Sequence, residues 1–255
     1  MLFPISDDNR GVTTTAFVTY TLLALNIGVF VYQMANPEFT YAYSVIPQEI
    51  MQGVDLVEPV SVTAQGQTMQ VPQAPGPPII YLTLLSHMFM HGGFGHIAGN
   101  MLYLWIFGDN VEHRFGHVKF LIFYLGSGLA AAFAQIAVNP SGVIPSLGAS
   151  GAIYGVLGAY LVLYPRNKVN VVVLYHIVSM PAIFVIGIWA AMQFFSGYGA
   201  LFATEQTGGV AYWAHIGGLV AGVVIALAFK SFIPEEPDSI NYRNYDEDPG
   251  AKRWW

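Results

Sequence analysis

The strongest constraint on this chain is where its positive charges are missing. Lysine and arginine occur only at positions 10, 114, 119, 166, 168, 230, 243, 252 and 253, so none falls within 11–113, 120–165 or 169–229. These gaps hold long apolar runs, over 13–34, 94–111, 120–138, 150–164, 169–195 and 212–229. About 20 apolar residues in a helix cross the ~30 Å of hydrocarbon in a bilayer. Lipid offers no partner to a peptide group, so such a run satisfies its backbone only by coiling on itself. Composition agrees: 55% of residues are hydrophobic and 9% charged, where soluble domains carry roughly a quarter charged residues. The expectation is an all-α membrane protein, a bundle of six transmembrane helices. The 169–195 run is expected to be one long span with an interfacial start, broken near Pro181 and Gly187, a plausible side entrance to the bundle.

The basic residues flank every second connection. Because cytoplasmic loops carry the excess of lysine and arginine, both termini and the turns near Arg114 and Arg166 are expected to be cytoplasmic. The long 35–93 loop and the 139–149 and 196–211 loops then face outward. This divides the chain into a cytoplasmic segment 1–12, a six-helix domain 13–230 and an acidic cytoplasmic tail 231–255, expected to be disordered. A cleaved signal peptide would also place Arg10 ahead of an apolar run, but Gln33-Met34-Ala35 lacks the small-x-small cleavage pattern. The net charge of -6 gathers largely in the tail, at Glu235, Glu236, Asp238, Asp246, Glu247 and Asp248. No basic patch is present to neutralise phosphates, which argues against a nucleic-acid partner. The absence of cysteine excludes disulfides, thiolate metal sites and a cysteine nucleophile together. A prokaryotic plasma membrane is the expected location.

Orientation brings the chemistry to one depth. The second, fourth and sixth spans all run inward, so their first turns lie at the same level. The polar residues there are His96 and Asn100, Ser150, and His215. Polar groups inside a span are costly and mark function by default. Taken singly, Ser150 also fits a packing serine and His215 an interhelical hydrogen bond. However, Gly151 with Gly155 and Gly218 with Gly222 form two Gly-x-x-x-Gly faces, which let helix backbones approach closely. An imidazole on the sixth span would then reach the hydroxyl on the fourth at roughly 2.6–3.2 Å, the distance for activating a nucleophile. Asp109 and Glu112 follow His96 by 13 and 16 residues, about 20–24 Å deeper, and cannot orient His215. Glu205 is the one other acid near that level. His87 and His91 lack the carboxylate or cysteine that would complete a metal site, so no metal is expected. Glu112 is expected to pair locally with Arg114, and His113, His117 and His176 to be solvated.

At this point the residues resemble a known family. Gly148-Ala149-Ser150-Gly151, Tyr154, Ala214-His215-Ile216-Gly217-Gly218, the segment from Ser86 through His87, His91 and His96 to Asn100, Trp105, Phe107-Gly108 and Val111-Glu112-x-Arg114-x-Gly116 together are similar to rhomboid intramembrane serine proteases. The resemblance runs over about 13–230. It implies a Ser150 nucleophile, a His215 base, an oxyanion hole served by His96 and Asn100, and Tyr154 stacked on the His215 ring. It also implies no cofactor, and substrates that are single-pass membrane proteins within the lipid bilayer. Rival classes fit less well. There is no His-Glu-x-x-His, Asp109 has no intramembrane aspartate partner, and no internal repeat suggests a transporter. Rhomboid-like proteins that bind clients without cutting usually lack the serine or the histidine, and both are present. The sequence carries no signal for an oligomeric state.

Overall fold

A computed structural model of the chain describes residues 2–9, 11–64, 67–202 and 211–232. The chain opens with strand β1 (Leu2–Asp7) and helix α1 (Phe17–Ala35). A long connection follows, holding helices α2 (Pro37–Tyr43) and α3 (Pro47–Gln52), a hairpin of β2 (Val60–Ala64) and β3 (Gln67–Val71), and the short α4 (Thr83–Ser86). Then come α5 (Phe94–Phe115), α6 (His117–Val138), α7 (Ser150–Leu163), β4 (Lys168–Val173), β5 (His176–Pro181), α8 (Ala182–Phe202) and α9 (Tyr212–Lys230). Three of these helices, α1, α6 and α9, are long and apolar enough to cross a membrane by length and composition. Helix α5 is as long but carries Asp109, Glu112 and Arg114, and α7 has only 14 residues.

The fold is mostly helical and not all-α, because the 169–195 run is divided. Its first part is the β4–β5 hairpin, turned at Leu174 (φ 57°) and Tyr175. Val169 and Val171 are fully buried while Lys168 before them and Asn170 between them are not, the period-two pattern of a half-buried strand. Valine-rich strands and apolar helices look alike to a hydropathy scan, and β-branching is what separates them. On its other edge β4 pairs with β1, completing an antiparallel sheet of order β1-β4-β5. Pro181 ends the sheet, and α8 begins at the next residue and passes through Gly187 without a break. The expected kink is therefore a strand-to-helix junction. Residues 203–210 and 233–255, with Glu205 and most of the acidic tail, lie outside the described residues, as does Arg10.

Helix α7 is the axis of the core. From Gly151 to Tyr160 nearly every position is buried, against Leu104, Phe107 and Val111 of α5 and Phe120 and Tyr124 of α6. Its contact with α9 is backbone on backbone. A Cβ on Gly218 would collide with the Gly151 carbonyl, and one on Gly222 with that of Gly155. The two small-residue faces seen in the sequence are thus the seam between these helices.

The end of α7 away from Ser150 is fastened by polar groups. Asp7 accepts from the Tyr160 hydroxyl at 2.6 Å and from Asn110 Nδ2 at 2.9 Å. Asn167 Nδ2 donates to Tyr160 Oη at 2.7 Å and to the Asp8 carbonyl at 2.9 Å. Burial holds the Asp7 carboxyl well above the usual carboxylate range. Glu112 does more than a local ion pair would: its carboxylate accepts from Val18 N, Thr19 N and Thr19 Oγ1 at 2.7–2.8 Å and lies 2.5 Å from His117 Nδ1. The two amides are orphan backbone donors of the first turn of α1, satisfied from a neighbouring helix.

Candidate active site

Ser150 is the first residue of α7, and the element immediately before it is helix α6, not a strand. The loop that delivers it, 139–149, is braced by the long connection. Val45 and Ser146 exchange backbone hydrogen bonds at 3.0 and 2.9 Å, Gln73 Nε2 donates to the Val143 carbonyl at 2.9 Å, and Gly148 N donates to the His87 carbonyl at 2.9 Å. Gly148 itself has φ +133°, and a side chain there would meet the His96 ring at 2.8 Å. Only glycine suits both the backbone angle and the space. Part of the 47–78 segment, to which the sequence assigned no role, therefore holds the approach to Ser150.

His215 sits in the first turn of α9. The close α7–α9 seam places its Nε2 2.8 Å from Ser150 Oγ. The Tyr154 ring, one turn along α7 from the serine, lies parallel to the imidazole at 4.3 Å with an interplanar angle of 11°. The stack blocks one face of the imidazole and leaves its edge to Ser150. Both groups open into a cavity of about 800 Å³ that also includes His96, Asn100 and Tyr103 in its lining. Asn100 is 8% exposed, and its Nδ2 is buried without a hydrogen-bond partner. An unmade bond of this kind is costly, and a free donor beside a nucleophile suits an oxygen that gains charge during reaction. The amide ends of the first turn of α7 add positive partial charge at the same place. A serine hydrogen-bonded to an imidazole, with a spare donor nearby, can carry out acyl transfer.

All five expected chemical residues, Ser150, His215, His96, Asn100 and Tyr154, border this one cavity. His87 and His91 stand outside the lining of the cavity: His87 Nδ1 lies 3.0 Å from the Thr83 carbonyl, and the His91 ring packs edge-on against that of His96 at 5.2 Å. One neighbour was absent from the sequence reading. Gln193 of α8 has Oε1 2.7 Å from His215 Nδ1. The signal was present, since Gln193 is a lone amide within an apolar stretch. Depth counted from the starts of the second, fourth and sixth spans does not reach it, whereas α8 brings the far part of its length to the site.

A sequence model of the Rhomboid domain matches residues 80–232, which include every residue of the cavity's chemistry. Rhomboid protein 1, mitochondrial, of Saccharomyces cerevisiae is 32% identical over 151 residues, 56% of this chain and 40% of that protein. Rhomboid protease GluP of Bacillus subtilis is 41% identical over 85 residues, 33% and 16% of the two chains. RHOMBOID-like protein 4 of Arabidopsis thaliana is 33% identical over 176 residues, 66% and 38% of the two chains. The aligned part spans less than half the length of each of these relatives.

Proposed function

The chain belongs to the rhomboid family, and from that membership together with the site geometry we propose that it is an intramembrane serine endopeptidase working through a Ser150–His215 dyad. That it is an integral membrane protein follows from the family and its apolar helices. The observation that carries the proposal is the 2.8 Å contact of Ser150 Oγ with His215 Nε2 at the wall of a cavity lined by Asn100 and His96. In this reading α1, α5, α6, α7, α8 and α9 are six spans of one domain over 13–230. The segment 1–12 and the tail 231–255 are cytoplasmic, and the cavity faces outward, in keeping with the alternation of basic loops. The relatives come from yeast, a plant and a bacterium, one of them named as mitochondrial. They do not favour the prokaryotic plasma membrane expected from the sequence, and the proposal leaves the membrane unspecified.

The reaction begins with attack of Ser150 Oγ on the scissile carbonyl as His215 Nε2 takes the hydroxyl proton. The oxygen of the tetrahedral intermediate is met by Asn100 Nδ2, His96 and the amides at the start of α7. His215 then returns its proton to the departing amine, freeing one peptide fragment and leaving an acyl ester on Ser150. Water, deprotonated by the same imidazole, releases the second fragment and restores the serine. An ionised third residue would be costly to bury beside the pair in such surroundings, so a neutral environment suits a dyad. Substrates are single-pass membrane proteins cut near the outer face. A stable helix hides its carbonyls in hydrogen bonds, so the cut falls where glycine, proline or similar residues let the segment unwind.

The test is active-site labelling of the detergent-solubilised full chain by a fluorophosphonate. Wild type labels, while Ser150→Ala and His215→Ala do not. Labelling that persists in both variants, or an unlabelled wild type, overturns the dyad.

A further inference from the structure

Resting on that dyad, we propose that Gln193 is its positioning residue, selecting the His215 tautomer that leaves Nε2 free to act as base. A neutral imidazole has one N–H and one lone pair in the ring plane. If the Ser150 hydroxyl is to donate to His215 Nε2, the ring proton must sit on Nδ1. In apolar surroundings that N–H needs an acceptor. Gln193 Oε1 stands at 2.7 Å from Nδ1, on the opposite edge of the ring from Ser150 Oγ at 2.8 Å. Tyr154 cannot serve, because it stacks on the face of the imidazole and offers nothing to its edge. Among the described acids Asp109 and Glu112 belong to the far end of α5, with Asn9 and the start of α1.

The amide works in one orientation. With Oε1 toward His215 it accepts from Nδ1, and Ser150 Oγ, Nε2, Nδ1 and Oε1 form a single donor-to-acceptor chain. With Nε2 of the amide toward the ring it would donate instead and drive the proton to His215 Nε2, where the serine could no longer donate. The first arrangement is the one in the structure, with Oε1 toward Nδ1, and the approach of the two helices holds the amide beside the ring. A Cβ on Gly197, one turn beyond Gln193, would lie 3.2 Å from Tyr212 Cβ and 3.4 Å from Ile216 Cδ1. Here the backbone of α8 packs closely against side chains at the start of α9. An amide also fills this position without placing an ion in a low-dielectric site. Gln193 touches no substrate in this scheme and acts through His215 alone.

The experiment compares full-length wild type, Gln193→Leu and Gln193→Glu in detergent, measuring the fluorophosphonate labelling rate against pH together with Tm. A second measurement is the ¹⁵N spectrum of histidine-labelled wild type, which distinguishes Nδ1–H from Nε2–H. The expected results are Nδ1–H at His215, a roughly tenfold slower rate in Gln193→Leu, and restoration in Gln193→Glu with its acid limb moved to higher pH. The last follows because a carboxylate facing Nδ1 holds the imidazolium proton more firmly. The readout that a purely structural glutamine would not move is the His215 tautomer itself, which the same ¹⁵N spectrum of Gln193→Leu should show shifted away from Nδ1–H. A wild type that labels while both variants match it in rate and profile overturns the role of Gln193 and leaves the dyad standing. So does an Nε2–H signal for His215, even if Gln193→Leu fails to fold. A wild type that never labels removes the dyad and this proposal together.

Discussion

Replacing Gly222 by alanine tests whether the seam between α7 and α9 sets the catalytic distance. The new Cβ would lie 2.7 Å from Gly155 C and 2.8 Å from Gly155 Cα, and closer still to the Gly155 carbonyl oxygen. All three are backbone atoms, so no rotamer change relieves the clash. The carbonyl oxygen is the limiting contact and carbon atoms pack no closer than about 3.5 Å, so α9 must retreat by at least about 1 Å. His215 is seven residues earlier on the same helix face and is carried along. Its 2.8 Å contact with Ser150 then opens past the limit of a hydrogen bond. Overpacking of this kind costs about 1–3 kcal/mol, offset by ~0.5–1 kcal/mol from the better helix propensity of alanine. A displacement near 1 Å at the chemistry costs on the order of 10²-fold in rate. The assay is fluorophosphonate labelling rate beside Tm in detergent, with Gly126→Ala as control, because a Cβ on Gly126 would meet nothing within 4 Å. A Gly222→Ala protein that labels within about twofold of wild type, or a Gly126→Ala protein equally impaired, refutes the geometric reasoning.

Two further outcomes are expected. Tyr154→Phe keeps the stacked ring and labels near the wild-type rate, whereas Tyr154→Ala loses a contact of about 0.5–1.5 kcal/mol and slows by up to roughly tenfold; equal loss in both would assign the role to the hydroxyl. In the long connection, Glu49 accepts from Leu56 N at 2.8 Å, and burial, with Asp55 nearby, raises its carboxyl from 4.5 to about 7. The folded state therefore holds this proton more tightly than the unfolded chain, and the associated stability is present at low pH and lost as pH climbs through about 7. Thermal melts should show wild type losing more Tm than Glu49→Gln between those two values, and parallel curves would refute the assignment.

The residues of the proposed dyad were legible in the sequence because depth in a membrane follows from counting. Charge-free runs and alternating basic turns order the expected spans, and that order predicts Ser150, His215, His96 and Asn100 at one level; the structure brings the four to one cavity. The paired Gly-x-x-x-Gly faces then name the two helices that can close the gap. The β4–β5 hairpin was illegible to hydropathy because Val169, Val171 and their neighbours are as apolar as a span; β-branching favours a strand there, and pairing with β1 and β5 completes it. Glu112 looked like a local partner of Arg114, but its acceptors serve the start of α1, 93 and 94 residues away. Gln193 shows the same limit at the site itself. Linear pattern registers how far along a helix a side chain lies and how polar it is. It does not register the rotation of α8 about its own axis or its distance from α9, which arise from packing among several helices at once. Local periodicity and charge are properties of neighbours in the chain; a hydrogen bond from His215 to an amide 22 residues earlier exists only once the helices between and around them have been packed.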